Sequence, residues 1–477
     1  MKMIINGEKV NSSNNEEIQV LNPALQELVD TVPSATKEDV EKALQVAQIG
    51  KRLWAETPLY ERASILRKYV TLLEENRLEL AKLQCSEMGK IITECEFEGR
   101  IAAKIFTGFI EKANHICGKV MPECQSEAGK DIIFTKREPL GVIACIIPFN
   151  YPVELFCHKV APALIMGNAV VVKPSTDNPL TVIRLVELLI EAGVPKEVVQ
   201  VITGRGSVVG NYLVESSLVD AVSLTGSTEV GIEIAEKSAK NLHNLLLELG
   251  GNDAMIVMED ADLDFAVNEA LAGRVTNTGQ TCCATKRLLV HNKVKEEFTK
   301  KLIERLEKVK RGNPCEHTTE IGCLINEKAA VDVESQVKHT IEQGAKCVYG
   351  GTRNQAFFEP TVLVDVTPAM DVAKNMEIFG PVMPIIGFDT EEEAIEIANA
   401  PIYGLHCGIV TNNTKIAINM AAKIEVGNVV INGTGNYRHI DMPFGGTKMT
   451  GIGREGVQYT LEEMSKVKSY VLKGMIR

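Results

Sequence analysis

The chain has 477 residues, with 51 basic against 63 acidic side chains and a formal net charge of −12, a balance that argues against a nucleic-acid surface. A composition that is 45% hydrophobic and 24% charged fits a soluble globular protein of two or three domains. The opening segment turns polar too soon for a signal peptide, and no charge-free apolar stretch reaches the roughly 18 residues of a membrane span. Twelve cysteines without a CxxC pair or regular spacing argue against a disulfide framework or a metal site and fit a reducing cytoplasm.

In chain order, residues 1–33 read as short strands and turns. Thr36-Lys37-Glu38-Asp39 then opens a helix with a capping-box pattern. A second helix is expected from about Tyr60 to Met88, ended by Gly89, and a third from Glu94 to His115. Lys119 to Pro139 reads as a hairpin with its turn at Ser126-Glu127-Ala128-Gly129, projecting as an arm. From Gly141 short apolar strands (141–147, 169–173, 199–202, 219–225) alternate with helices (153–166, 181–192, 207–215, 229–240), the pattern of a parallel sheet covered on both faces. Ligands of such sheets sit beyond the carboxyl ends of the strands, here Asn150, Lys173, Gly204 and Gly226. A second α/β series runs from about 253 to 450, with helices near 263–276, 293–310, 327–343, 391–399 and 414–424. The tail Met464–Met475 alternates like a strand that could extend a sheet, its own or a neighbour's.

Several residues carry possible chemistry. Cys282 follows a flexible Gly279-Gln280-Thr281 turn, and a thiolate is a strong nucleophile, although a cysteine also serves as a small buried apolar residue. Glu248 ends the apolar run Leu245-Leu246-Leu247, where burial would raise its pKa toward general-base range. Gly226-Ser227-Thr228-Glu229 lies between strand and helix, where free N–H groups favour a phosphate or simply start a helix. Gly204-Arg205-Gly206 follows another strand but lacks the GxGxxG spacing. Lys173 closes a buried strand, a place for a paired or a snorkelling lysine. Asn150, between Phe149 and Tyr151-Pro152, reads equally as a turn residue.

Taken together, the stretches around Glu248 and Cys282 resemble the aldehyde dehydrogenase superfamily. Pro148-Phe149-Asn150-Tyr151-Pro152, Val172-Lys173-Pro174-Ser175, Leu224-Thr225-Gly226-Ser227 and Glu377-Ile378-Phe379-Gly380-Pro381 fall in that family's order. So do Pro443-Phe444-Gly445-Gly446 and Gly451-Ile452-Gly453-Arg454-Glu455, so that nearly the whole chain is covered. The resemblance implies an α/β fold with a Rossmann-type NAD(P)-binding domain (1–116 and 140–249), a catalytic domain (250–450), and an oligomerisation arm and tail (117–139 and 455–477). It implies Cys282 as nucleophile, Glu248 as the base that activates water, and Asn150 as oxyanion donor beside the Cys282 backbone N–H. Cofactor contacts would come from Ile147, Pro148, Phe149, Lys173, Ser175, Thr176, Gly206, Thr225, Gly226, Ser227, Leu249, Gly250, Glu377 and Phe379. Where NAD-preferring relatives carry a Glu, this chain has Thr176, which makes NADP permissible and slightly favoured while leaving NAD open. No metal is implied.

The implied partner is a small aldehyde, in a homo-oligomer of two or four subunits. Arg100, Tyr151, Thr281, Cys283 and Arg438 are the candidate substrate contacts, and the set resembles the branch acting on lactaldehyde, sulfolactaldehyde and glyceraldehyde 3-phosphate. An arginine fork suits an anionic tail, so a short hydroxy-aldehyde with a small anionic group is expected. Thr281 stands where the phosphate-binding branch has a further Arg. Cys283 is expected to point away from the nucleophile in a helical start. The alternatives are a succinate-semialdehyde or broad-specificity dehydrogenase, a cysteine hydrolase, and a binding protein that kept the fold without the chemistry.

Overall fold

The computed structural model describes residues 1–122 and 130–475; the turn expected at 126–129 lies outside them. Thr36 caps helix α1 (Lys37–Glu56), its hydroxyl accepting from Asp39 N–H while Asp39 accepts from the Thr36 backbone. The expected second helix is two, α2 (Leu59–Glu75) and α3 (Arg77–Met88). Asn76 breaks it by turning its side-chain amide back onto Leu72 O at 2.8 Å, so that the side chain competes with the helix ladder. Gly89, at φ 72, ends α3, and α4 (Ile92–Ala113) follows.

Five strands beyond Gly141 and their crossover helices form the centre of the first sheet. Val142–Ile146, Ala169–Lys173, Val199–Val201, Ala221–Thr225 and Asn244–Glu248 run parallel. Their apolar, β-branched residues suit burial on both faces. The sheet has eight strands, with Met3–Ile5 and Glu8–Val10 added antiparallel at one edge and Gly451–Ile452 at the other. Val142–Ile146 lies at the switch point: the strands after it extend first to one side and then, from Ala221–Thr225, to the other. The chain leaves the carboxyl ends of these two strands in opposite directions and opens a crevice lined by 147–150 and 226–228. Helices α5 (Pro152–Ile165), α6 (Leu180–Glu191), α7 (Asn211–Glu215) and α8 (Thr228–Ser238) serve as crossovers, and a π-helical turn at Gly206–Gly210 replaces the expected start of α7.

A second sheet of seven strands is ordered Lys346–Tyr349, Thr361–Val366, Val382–Phe388, Arg287–His291, Ala254–Val257, His406–Val410, Asn428–Ile431, parallel except at the first. Helix α9 (Leu263–Val275) leads from it to the Cys282 stretch. The tail Ser465–Leu472 pairs antiparallel with Ile132–Pro139 of its own chain, and Phe134 stacks on Tyr470 with centroids 5.0 Å apart. Among the described residues, no helix is long and apolar enough to cross a membrane.

Candidate active site

Between the two sheets lies a cavity of about 890 Å³ whose wall includes Asn150, Tyr151, Thr225, Glu248, Thr281, Cys282, Cys283 and Arg438. The loop that delivers Cys282 is held rather than flexible, which corrects the expectation. After α9 the backbone enters the left-handed region at two non-glycine residues, Asn277 (φ 51) and Thr278 (φ 55), and again at Gly279 (φ 78). Such residues carry strain that their surroundings must offset. Here Glu94 accepts the Asn277 N–H at 3.0 Å, and the buried Gln280 side chain donates to Asn277 O at 3.1 Å and accepts from Ile325 N at 2.9 Å. A Cβ on Gly279 would lie 2.4 Å from Gly380 O, so glycine is required there.

Residues 281–284 form a turn, not a helix start, so Cys283 does not point away. It lines the same cavity, and its thiol contacts Asn436 Oδ1 at 3.6 Å. The Cys282 thiol is pushed well above its ordinary value, first by its hydrogen bond with Cys283 and then by burial. Glu248 is likewise pushed up, by burial and then by the charge of Glu455. Both shifts favour the neutral form over the charged one, as expected for groups that ionise in a buried site. Glu248 lies against backbone: a Cβ on Gly445 would sit 2.8 Å from its Oε1.

Asn150 closes the switch-point strand's exit. Its Nδ2 donates to Gln280 O at 3.1 Å, across the crevice toward the Cys282 loop. Its carbonyl accepts from Lys90 Nζ at 2.8 Å and Asn277 Nδ2 at 2.9 Å. Lys90 forms a fully buried ion pair with Glu98 at 2.7 Å and lies 3.7 Å from the centre of the Tyr151 ring. Glu98 in turn accepts the first N–H groups of α5, from Val153 at 2.8 Å and Glu154 at 2.9 Å. Sequence reading missed this pair, because Lys90 and Glu98 stand among other charged residues (Glu87, Glu94, Glu96, Arg100) and nothing local singles them out. Tyr151 OH meets Thr281 Oγ1 at 3.2 Å.

The expected cofactor residues gather along the carboxyl edge of the first sheet. Ile147 N donates to Lys173 O at 2.9 Å, and Asn178 holds Phe149 O at 2.8 Å. Lys173 is buried, its pKa lowered to about 8 by burial, and it donates to Pro174 O at 2.8 Å. Thr176 Oγ1 donates to Gly204 O at 3.2 Å, which brings the Pro174–Thr176 turn against Arg205 and Gly206; Ser175 is half-buried beside it. Gly226 and the capping Ser227 open α8. Thr225 Oγ1 is buried without a partner among the described residues. An orphaned hydroxyl, a buried ammonium and a helix N-terminus fit a dinucleotide phosphate and ribose. Gly250 packs under Glu377, where a Cβ would lie 2.4 Å from Oε2, and Leu249 lies against Gly231 of α8. Glu377 pairs with Lys286 at 3.0 Å, and Phe379 meets Phe149 edge-to-face at 5.9 Å. Lys286, which also donates to Thr281 O at 2.9 Å and to Cys282 O, was not anticipated; a lysine at the mouth of the buried strand Arg287–His291 was the available signal.

The arginine fork does not form. Arg100 is exposed on α4 outside the cavity wall, its guanidinium 5.7 Å from the Phe97 ring centre. Arg438 does line the cavity but is committed to carboxylates, Glu455 at 2.5 Å and Glu154 at 3.4 Å, with Phe444 4.0 Å from its guanidinium. Burial alone would raise Glu455, but Lys159 and Arg438 hold it at about 2. Arg438 is the one Lys or Arg among the described residues of the wall, against the acids Glu94, Glu98, Glu154, Glu248, Glu269 and Glu455.

Comparison with known proteins adds four findings. A profile of the aldehyde dehydrogenase family matches residues 10–470. The chain is 36% identical to a lactaldehyde dehydrogenase of Methanococcus aeolicus over 98% of itself and 99% of that protein. It is 39% identical to a 3-sulfolactaldehyde dehydrogenase of Priestia aryabhattai over 98% of itself and 97% of the relative. Among solved structures, an Escherichia coli NADP-dependent enzyme superposes with a TM-score of 0.96 at 37% identity, covering 99% of this chain and 98% of the other.

Proposed function

This chain belongs to the aldehyde dehydrogenase family, and we propose that within it the protein oxidises a short, uncharged hydroxy-aldehyde to the carboxylic acid. The observation that carries this reading is the commitment of Arg438 to Glu455 and Glu154. An anionic tail would enter a cavity that offers it several carboxyl groups and no uncommitted cation among the described residues. Apolar walls from Phe97, Ile101, Leu155, Phe265 and Met442 suit a short carbon chain. The Tyr151 and Thr281 hydroxyls offer partners to a substrate hydroxyl. The similarity to a lactaldehyde dehydrogenase supports the same class.

In the proposed sequence the Cys282 thiol releases its proton to solvent in the cavity, and the sulfur attacks the aldehyde carbon. The Asn150 side-chain amide and the Cys282 N–H stabilise the oxyanion that forms. A nicotinamide held there would supply the acceptor for the hydride that leaves this carbon. Glu248 then takes a proton from water, and the hydroxide cleaves the thioester on Cys282 to release the acid. Lys173, Thr225, Gly226 and Ser227 would hold the dinucleotide, with Glu377 and Phe379 at its nicotinamide end. The absence of a carboxylate at Thr176, together with Arg205 exposed in the facing loop, favours NADP over NAD. Apolar residues exposed on the tail strand (Val467, Val471, Leu472) support its use in a homo-oligomer.

A second reading, an anionic substrate, is favoured by the similarity to a 3-sulfolactaldehyde dehydrogenase and requires Arg438 to leave its carboxylates. Initial rates of cofactor reduction with lactaldehyde, propanal, succinate semialdehyde and sulfolactaldehyde separate the two, with NAD and NADP in parallel. Lactaldehyde is expected to exceed both anions by at least about tenfold in kcat/KM, a transition-state difference of about 1.4 kcal/mol. Preference for either anion by that margin overturns the uncharged-substrate reading.

A further inference from the structure

Four cysteines gather where the two halves of the molecule meet, away from the nucleophile. Cys85 lies on α3 and Cys95 on α4; Cys315 and Cys323 lie in the segment 312–325 of the other half. That segment is docked on the junction of α3 and α4. Ile92 N donates to Pro314 O at 2.8 Å, and a Cβ on Gly322 would sit 2.3 Å from Gly89 O. Cys85 Sγ and Cys315 Sγ are 3.4 Å apart, in thiol–thiol contact, although 230 positions separate them in sequence. Cys315 is exposed, whereas Cys85 is buried beneath it. Among the described residues no group of three or more His, Cys, Asp or Glu is arranged to hold a metal ion.

We propose that Cys85 and Cys315 form a reversible redox site, closing to a disulfide that ties the cofactor-sheet half to the second-sheet half. The two thiols are already in contact, and only Cys315 is reachable from solvent, so an oxidant has one point of entry. The oxidant class is a low-molecular-weight disulfide, RSSR. Cys315 loses its proton to solvent and attacks one sulfur; an S–S bond forms to Cys315 and RS⁻ leaves. Cys85 then attacks Cys315 Sγ, displacing the second RS⁻ and releasing its own proton. Two protein thiols are oxidised to one disulfide and RSSR is reduced to two RSH. The thiols of Cys95 and Cys315 hold the Cys85 pKa below its ordinary value, which suits the resolving step. Burial and the Cys85 contact push Cys315 up to about 11, so that entry at Cys315 rests on its exposure and speeds up as pH rises. In a reducing compartment such a bond is transient and reports redox state.

The link would bear on the active site from both sides. One residue after Gly89, Lys90 holds Asn150 O; two residues after Cys323, Ile325 holds the Gln280 side chain behind the nucleophile loop. The test is titration of the full-length protein with glutathione disulfide, followed by non-reducing peptide mapping. It is run on wild type, on Cys315→Ser, and on Cys282→Ser to remove the reactive nucleophile from the map. The expected result is a peptide pair joining Cys85 to Cys315 in wild type and in Cys282→Ser, lost on adding dithiothreitol and absent from Cys315→Ser. Thermal unfolding should move upward on oxidation in wild type and not in Cys315→Ser, whose exposed position makes its reduced form as stable as wild type. A Cys85–Cys95 link, a mixed disulfide persisting on Cys315, or free thiols throughout overturns the proposal.

Discussion

Replacing Lys90 by Met tests whether the buried pair behind Asn150 positions it. The Lys90 and Glu98 side chains are 0% and 2% exposed and meet at 2.7 Å, so truncating one leaves the other charge buried. Such a loss costs about 3–5 kcal/mol. Glu98 keeps three donors, Gln84 Nε2 at 2.5 Å, Val153 N at 2.8 Å and Glu154 N at 2.9 Å, and Met fills the lysine's volume, so the lower end applies. At about 3 kcal/mol the unfolding equilibrium rises roughly 100-fold, a large part of the 5–15 kcal/mol that ordinarily holds a domain folded. Asn150 O loses one donor but retains Asn277 Nδ2 at 2.9 Å, so kcat should fall by only about tenfold, less than the 10²–10³ lost when an oxyanion donor is removed outright. Urea unfolding and steady-state kinetics measure both effects. The double variant Lys90→Met/Glu98→Gln should recover part of the stability, because it no longer buries an unpaired charge. An unfolding midpoint equal to wild type in the single variant, or a double variant weaker than the single, refutes the reasoning.

Glu248→Gln should leave the first turnover's cofactor reduction visible as a burst and slow the steady state by about 10²–10⁴-fold, because thioester hydrolysis loses its base; stopped-flow absorbance reads both phases, and a steady state unchanged from wild type counts against the role. Thr176→Glu should move the NADP-to-NAD preference toward NAD by at least about tenfold in kcat/KM through repulsion of a 2′-phosphate, measured by parallel titration of the two cofactors. Glu94, raised by burial from its ordinary 4.5 to about 7, binds its proton more tightly folded than unfolded. Its contribution to stability is therefore full below about pH 4.5 and lost as pH rises through about 7; the pH dependence of the urea midpoint should flatten over that window in Glu94→Gln.

The difference between what could and could not be read from the sequence follows from the range of the interactions involved. The parallel sheet was legible because its strands are runs of apolar, β-branched residues, a signal carried within five positions, as in Ala169–Lys173. Asn150, Glu248 and Cys282 were legible as a family pattern, and each sits at a strand end or loop where short-range chain geometry fixes it. The α2–α3 break was not, because one Asn inside a helical pattern weighs little until its side chain is seen bonded to Leu72 O. The arginines failed for a related reason. Nothing local to Arg438 announces Glu154 or Glu455: the first lies 284 positions away across α5, and the second reaches it only after the chain has turned through Pro443–Gly446. A charged residue's availability depends on every opposite charge the fold brings within about 4 Å, where burial makes the pairing strong. The same reasoning explains why Lys90 and Lys286 escaped notice. Each is a cation whose partners include an oxygen from far along the chain, Asn150 O for Lys90 and Glu377 for Lys286, besides nearer ones at Glu98 and Thr281 O. The groups proposed to react are therefore local in sequence, and the charges packed against them are not.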